Sequence, residues 1–276
     1  MSMPELPDVF ILARSMNDYL PNRRIINVEV NQPKVLNRPV QDFRRVVIDR
    51  VFQSIIQRGK WILATLTDGW ILAFNLGMGG EIRLHSINEI PDPKRERVIF
   101  TLDKGEQIWV KFWWFGHVHI IPPGELGKHP QIGTLGIEPL SEEFTVEKLA
   151  LMLNGRRGRI KSYLLDQRFI AGIGNVYVQD ILWYAKLHPD RKADTLKLSD
   201  VTRLHQAIHR VLQTGIKWGP GPGESDIWGN KGKWGKVEEY PQVAYRTGKE
   251  CPQCSETIEE LRVGSTKSYI CPHCQT

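Results

Sequence analysis

Apolar positions change their period once along the chain. Up to about residue 125 they come in short runs, at 25–30, 61–67, 70–75, 98–102 and 107–112, several of them divided by Gly or Asp-Gly. Such runs predict strands, and Thr67-Asp68-Gly69-Trp70 predicts a tight hairpin between two of them. Ahead of the strands, Pro7 is followed by Val9, Leu12, Ala13 and Met16, the spacing of an amphipathic helix opened by proline. From about 142 the period is helical: Ser141-Glu142-Glu143-Phe144 resembles a helix start, and Val146, Leu149, Leu151, Met152 and Leu153 continue it. Further helices are predicted over about 158–166, 174–186 and 199–214.

This change of period predicts an α+β multidomain chain. Residues 1–125 form an N-terminal antiparallel β-sandwich or barrel with flanking helices, and the Gly/Pro-bearing stretch 126–141 forms a hinge. Residues 142–240 form a helical domain in which the Gly- and Trp-bearing stretch 215–234 is a long mobile loop, and 241–276 form a separate C-terminal module. No internal repeat is visible.

Composition adds a partner class. Of 276 residues, 41% are hydrophobic and 25% charged, ordinary for a globular protein with a real core. Lys plus Arg exceed Asp plus Glu by 37 to 31 and the pI is about 9.1, which suits a polyanionic partner and equally suits a merely basic enzyme. There is no apolar run of about 18 residues and no secretory signal at the start, so the expectation is a soluble, monomeric, cytoplasmic or nucleoid protein with no membrane partner.

All four cysteines fall in two Cys-x-x-Cys pairs, Cys251/Cys254 and Cys271/Cys274, with sixteen residues between the pairs. That spacing allows a β-hairpin to bring the pairs together around one Zn²⁺. Four thiolates leave no open position, so the metal is expected to be structural, with His273 at the surface. Arg246, Lys249, Arg262 and Lys267 around it suit phosphate contact or a solvated face.

Several motifs occur in one order along nearly the whole chain. They are Pro4-Glu5-Leu6-Pro7-Asp8-Val9, Arg58-Gly59-Lys60, Leu76-Gly77-Met78-Gly79-Gly80, Leu135-Gly136-Ile137-Glu138-Pro139-Leu140, Leu165-Asp166-Gln167, Ala171-Gly172-Ile173-Gly174-Asn175-Val176-Tyr177, and the four-cysteine module followed by Gln275. In these the chain resembles the formamidopyrimidine-DNA glycosylase/endonuclease VIII family, and Pro-Glu-Leu-Pro leans toward the oxidised-purine branch. The resemblance implies a β-sandwich, a helix–two-turn–helix domain and a zinc finger, binding double-stranded DNA that carries a damaged base or abasic site.

The resemblance also implies residue roles. The secondary amine of an N-terminal proline, here Pro4, attacks the sugar C1′, expels the base and forms an iminium, after which elimination cuts the strand. An α-amino group with a pKa of about 8 is partly neutral at physiological pH, whereas a proline inside the chain has an amide nitrogen that cannot attack. Pro4 here follows Met1-Ser2-Met3, so base-excision repair glycosylase and AP lyase activity requires a chain that begins at Pro4. With the three residues retained, the expectation is a non-catalytic lesion-binding protein. Glu5 matches the family's acid, or caps the first helix, and Lys60 matches a lysine on the lesion's phosphate, or is an ordinary turn residue. Met78 and Phe115 match residues that fill the gap left by an extruded base, although such side chains commonly sit in a core. Lys161 and Lys267 are expected to bind DNA, as is Asn175, unless it serves as a helix N-cap.

The chain departs from the family pattern at defined points. Trp113 stands where an arginine is the third filler, Lys111 where an aspartate stands, and Thr266 where the zinc hairpin carries an arginine, with Lys267 beside it. Asn75 replaces a common histidine and Asp180 a common glutamate. Tryptophan stacks but cannot pair with an orphaned base as arginine can, which puts opposite-base preference in question.

Overall fold

The computed structural model describes residues 3–276, so Met1 and Ser2 of the Met1-Ser2-Met3 extension lie outside the described residues. The chain divides into two units: residues 3–134 with Gly219–Gly232, and Leu135–Trp218 with Lys233–Thr276.

In the first unit, helix α1 (Leu6–Tyr19) precedes β1 (Ile25–Val30), and α2 (Val40–Val47) lies between β1 and β2 (Phe52–Arg58). The remaining strands are β3 (Trp61–Leu66), β4 (Ile71–Asn75), β5 (Glu81–Ser86), β6 (Glu96–Leu102), β7 (Glu106–Lys111) and β8 (His117–Ile121). They form two four-stranded antiparallel sheets, β1-β6-β7-β5 and β2-β3-β4-β8. One core joins both: Val28, Phe100, Ile108 and Val110 from the first sheet pack with Phe52, Ile62, Phe74 and Ile120 from the second, and Leu12 and Met16 of α1 complete it. Alternation along each strand puts these residues on one face, which makes the unit a β-sandwich. The expected hairpin joins β3 to β4, where Asp68 and Gly69 take φ of 61° and 74° and Leu66 N donates to Trp70 O at 2.7 Å.

The stretch 215–234 differs from the expected mobile loop of the helical domain. Residues 215–218 are the last turn of helix α6 (Leu198–Trp218), while 219–232 pack into the first unit. Ile227 is fully buried in the sandwich core; its N donates to Ser15 Oγ at 3.1 Å and its O accepts from Leu84 N at 2.9 Å. Within the segment, the Asp226 carboxylate accepts from Trp228 N, Asn230 N and Asn230 Nδ2 at 2.8–3.0 Å.

In the second unit, α3 (Val146–Leu153), α4 (Ile160–Leu165) and α5 (Tyr177–Tyr184) precede α6, and β9 (Glu259–Val263) pairs antiparallel with β10 (Thr266–Ile270). Helix α3 starts later than Ser141 predicts, because Thr145 is the N-cap and its Oγ1 accepts from Lys148 N at 3.1 Å. The buried Asp180 of α5 ties down the approach to the cysteine module. Its two oxygens accept from Gln242, Val243 and Ala244 N at 2.8–3.1 Å; burial pushes its carboxyl up, and these three donors oppose that. Among the described residues no helix is long and apolar enough to cross a membrane.

Candidate functional site

Pro4 and Glu5 are both buried at the start of α1. Glu5 is the N-cap, and Asp8, at the third helical position, completes a reciprocal capping box: Asp8 Oδ2 accepts from Glu5 N at 2.8 Å. The capping role weighed for Glu5 is therefore present, and the same bonds fix its carboxylate at the position next to Pro4. In the chain as written, Pro4 N is bonded to Met3.

Lys60 belongs to the same neighbourhood. The β2–β3 hairpin closes on the pair Arg58/Trp61, so Gly59 and Lys60 form a two-residue turn, with Gly59 at φ 57° in the first central position. Asn75 Nδ2 donates to Lys60 O at 3.2 Å while Asn75 Oδ1 accepts from Gly77 N at 3.1 Å, so Asn75 clamps the lysine turn to the Met78 loop. Burial holds the Lys60 ammonium below the ordinary lysine range, and the charges of Glu5 and Asp8 pull it back up. Glu5, Asp8 and Lys60 thus form one electrostatic group at the start of α1, whose Glu5 directly follows Pro4 in the chain.

Met78 and the 113–115 loop are joined by an isolated antiparallel β-bridge between Met78 and Trp114. Met78 N donates to Trp114 O at 2.9 Å and Trp113 N donates to Met78 O at 3.0 Å. Phe115 sits at φ 60°, and Gly77 has no room for a side chain, since a Cβ there would meet Trp114 O at 2.1 Å. Trp113, Trp114 and Phe115 are 38%, 61% and 72% exposed, which removes the core reading for Phe115 and shows an aromatic surface patch. Of the other tryptophans weighed for stacking, Trp228 meets the Tyr19 ring edge-on at 6.3 Å, Trp234 packs on Tyr240 at 4.7 Å, and Trp218 lies under the Lys217 and Lys233 ammonium groups.

In the second unit, the turn before α5 is braced by Gln167. Its Oε1 accepts from Gly172 N at 2.8 Å, and its Nε2 donates to Ile173 O at 2.7 Å, with Gly172 at φ 94°. Asn175 is not the N-cap, which is Val176; Gln179 Nε2 donates to Asn175 O at 2.8 Å and to its Oδ1 at 3.2 Å. Gln179 also donates to Lys267 O and accepts from Tyr269 N, coupling the turn to the β9–β10 hairpin.

Two expected DNA contacts are placed differently from a simple exposed cation. Lys161 is 1% exposed, and its ammonium donates to Lys267 O at 2.6 Å and Ser268 Oγ at 2.8 Å; burial lowers it to about 8. Lys267 is exposed, but its Nζ pairs with Glu260 at 2.7 Å. Lys161 is turned toward the hairpin, where Lys267 O and Ser268 Oγ accept from its ammonium, a placement that its residue type does not signal.

The four cysteine sulfurs lie within 4.8 Å of one another, with Cys254 to Cys271 and Cys254 to Cys274 at 3.4 Å and Cys251 to Cys274 at 3.9 Å. Tetrahedral Zn–S bonds of about 2.3 Å put sulfurs about 3.8 Å apart, so the set fits one zinc ion. Burial alone would raise the Cys251 thiol, but N–H donors of Gln253, Cys254 and the Trp183 indole bring it down to about 7. Gln275 seals the module: its Oε1 accepts from Cys271 N at 2.9 Å and its Nε2 donates to Leu187 O at 3.0 Å. The zinc is structural, since all four ligands come from the chain.

Sandwich, two-turn helical unit and four-thiolate hairpin together define the class of zinc-finger DNA glycosylases. Comparison with known proteins makes this specific. Residues 3–111 match the formamidopyrimidine-DNA glycosylase N-terminal domain, 135–224 the formamidopyrimidine-DNA glycosylase H2TH domain, and 248–276 the zinc finger found in FPG and IleRS. The chain is 38% identical over 275 residues to a formamidopyrimidine-DNA glycosylase of Pelotomaculum thermopropionicum and 33% identical over 274 residues to one of Streptococcus mutans, covering 99% of the chain and of each relative. The Lactococcus lactis Fpg bound to abasic-site DNA superimposes with a TM-score of 0.90 at 28% identity, covering 99% of both chains. The same enzyme in complex with Fapy-dG DNA also gives 0.90 at 28% identity. The chain belongs to the formamidopyrimidine-DNA glycosylase family.

The structure gathers the four expected zinc ligands and brings Glu5 and Lys60 into one electrostatic group, and it adds Asp8 and Gln179, for which sequence reading assigned no holding role, as residues that fix Glu5 and couple the turn before α5 to the β9–β10 hairpin. For Asp8 a signal existed: it stands three residues after Glu5, the spacing of a capping box.

Proposed function

We propose that the protein is a base-excision repair DNA glycosylase with AP lyase activity, acting as a monomer in the cytoplasm on oxidised or ring-opened bases in double-stranded DNA. The observation that carries this reading is the cluster of Pro4, Glu5 and Lys60, with Glu5 fixed by Asp8 and Lys60 held in the field of both carboxylates. In a chain beginning at Pro4, the lone pair of the neutral secondary amine forms the N–C1′ bond while the C1′–base bond breaks, its bonding pair leaving with the base, which takes up the proton the amine gives up. Glu5 protonates the ring oxygen as the sugar opens to an iminium, and elimination then cleaves the strand. Lys60 holds the phosphate at the lesion. Met78, Trp113 and Phe115 fill the gap left by the extruded nucleotide, and Asn175 and Lys267 grip backbone phosphates. Lys161 acts on DNA through the hairpin it positions.

Excision assays on duplexes containing 8-oxoguanine or a formamidopyrimidine test the reading. Glu5→Gln is expected to lower the single-turnover rate by about 100-fold or more, the scale of general acid catalysis. An unchanged rate would contradict it.

A second reading has one specific observation in its favour: with Met3 attached, Pro4 N is an amide without nucleophilic character. A chain that keeps those residues binds lesions without cutting. Lesion-selective binding with no strand scission by a protein shown by intact mass to retain Ser2 would support it.

A further inference from the structure

The aromatic loop offers a base almost nothing to hydrogen-bond with. Residues 112–116 are Phe, Trp, Trp, Phe and Gly, whose only polar side-chain atoms are two indole N–H groups. The polar neighbours are committed elsewhere. Lys111 Nζ pairs with Glu81 at 3.1 Å, Arg97 Nε donates to Phe112 O at 2.9 Å and its Nη1 to Lys94 O at 3.2 Å, and both ends of the Asn75 amide are engaged within the Lys60 and Met78 turns.

The loop is also held in shape. Phe112 is buried in the sandwich core, a Cβ on Gly116 would strike the Phe112 ring at 2.4 Å, and the Met78 bridge pins the backbone of Trp113 and Trp114. The exposed rings therefore stand on a held backbone, and Lys111, Arg97 or Asn75 would have to break one of these pairs to reach a base edge.

We propose that Trp113 makes this protein indifferent to the base opposite the lesion, because the orphaned base is held by stacking alone. The inference rests on the reading of Met78 and residues 113–115 as the elements that fill the gap. Every base has a π-face, so stacking on an aromatic ring tolerates all four. Discrimination needs a fork of donors or acceptors matched to one edge. Only cytosine presents two adjacent acceptors, O2 and N3, on its pairing edge, and a guanidinium could take both at once; an indole with one N–H cannot.

The test is equilibrium binding of the full chain to duplexes with a tetrahydrofuran abasic analogue opposite A, C, G or T, a readout independent of catalysis. Expected are four dissociation constants within about threefold of one another. Trp113→Arg is expected to favour cytosine by about tenfold, the scale of a bidentate base contact, while Trp113→Phe keeps the flat profile. A tenfold or larger spread among the four for the unaltered protein overturns this inference while leaving the proposed function standing. No preference for the tetrahydrofuran duplexes over undamaged DNA overturns the gap-filling reading, and this inference with it.

Discussion

Asp8 and Gly221 lie 213 positions apart and are joined directly, with Gly221 N donating to Asp8 Oδ1 at 2.7 Å. The other Asp8 oxygen holds Glu5 N, so a single buried carboxylate fixes the candidate acid and one end of the 219–232 segment. That segment, fastened again at Ser15 and Leu84 through Ile227, is part of the sandwich rather than a free flap.

Asp8→Ala leaves two N–H groups of this arrangement without their acceptor. The expected cost is about 1–3 kcal/mol of stability, together with faster amide exchange in 219–232 and slower excision. Urea unfolding and hydrogen exchange of the variant check this; unchanged protection across 219–232 would show that the bond does not hold the segment.

Lys161 and Lys267 should separate in a salt titration of DNA binding. Lys161→Met removes the donor to Lys267 O and Ser268 Oγ, so the protein is expected to lose about 1–3 kcal/mol of stability while the slope of log K against log salt stays the same. Lys267→Met should flatten that slope by about one phosphate contact. A flattened slope for Lys161→Met would return that residue to direct phosphate contact.

Chelation should unfold the C-terminal hairpin, because without the ion nothing ties the two Cys-x-x-Cys pairs together and the Cys251, Ile258 and Cys271 cluster opens to water. One zinc per chain by elemental analysis is expected, with loss of DNA affinity on its removal and recovery on re-addition. Unaltered melting after complete zinc removal would show that the ion does not hold the hairpin together.

Acid should destabilise the first unit through a histidine pair. His129 Nδ1 accepts from Ile132 N at 3.1 Å, so the neutral ring carries its proton on Nε2 and donates to His119 Nδ1 at 2.9 Å. Burial, reinforced by His117 and His129, lowers His119 from 6.5 to about 4. Between these values the unfolded chain binds the extra proton, so the stability is fully present above 6.5 and is lost as pH falls toward 4. From pH 7 to 5 the loss is expected to be about 1 kcal/mol after solvent screening. Urea unfolding at both pH values should show a smaller difference for His119→Phe; equal differences would exclude the pair as the cause.

Much of the fold was legible because strands and helices bury one face and so stamp their period on the chain: the runs 25–30, 70–75 and 98–102 were readable as strands, and the Asp68-Gly69 turn as a hairpin. The zinc set was legible because its ligands are close in sequence. Less legible were contacts made by one polar atom across long separations. Nothing local marks Gly221 as a partner of Asp8, and nothing in a lysine's identity shows that Lys161 is turned into the protein. The capping competition at Thr145 similarly moved the start of α3 past Ser141.

The central claim is that the nucleophile is the amine of Pro4, and borohydride trapping tests it most directly. Protein verified by intact mass to begin at Pro4 is incubated with duplex DNA containing an abasic site or 8-oxoguanine, reduced, digested and mapped by mass spectrometry. The account predicts a stable adduct on the peptide beginning Pro4-Glu5-Leu6, absent when Met1-Ser2-Met3 is retained. No adduct from the Pro4-initiated chain, or an adduct mapped to Lys60, would contradict it.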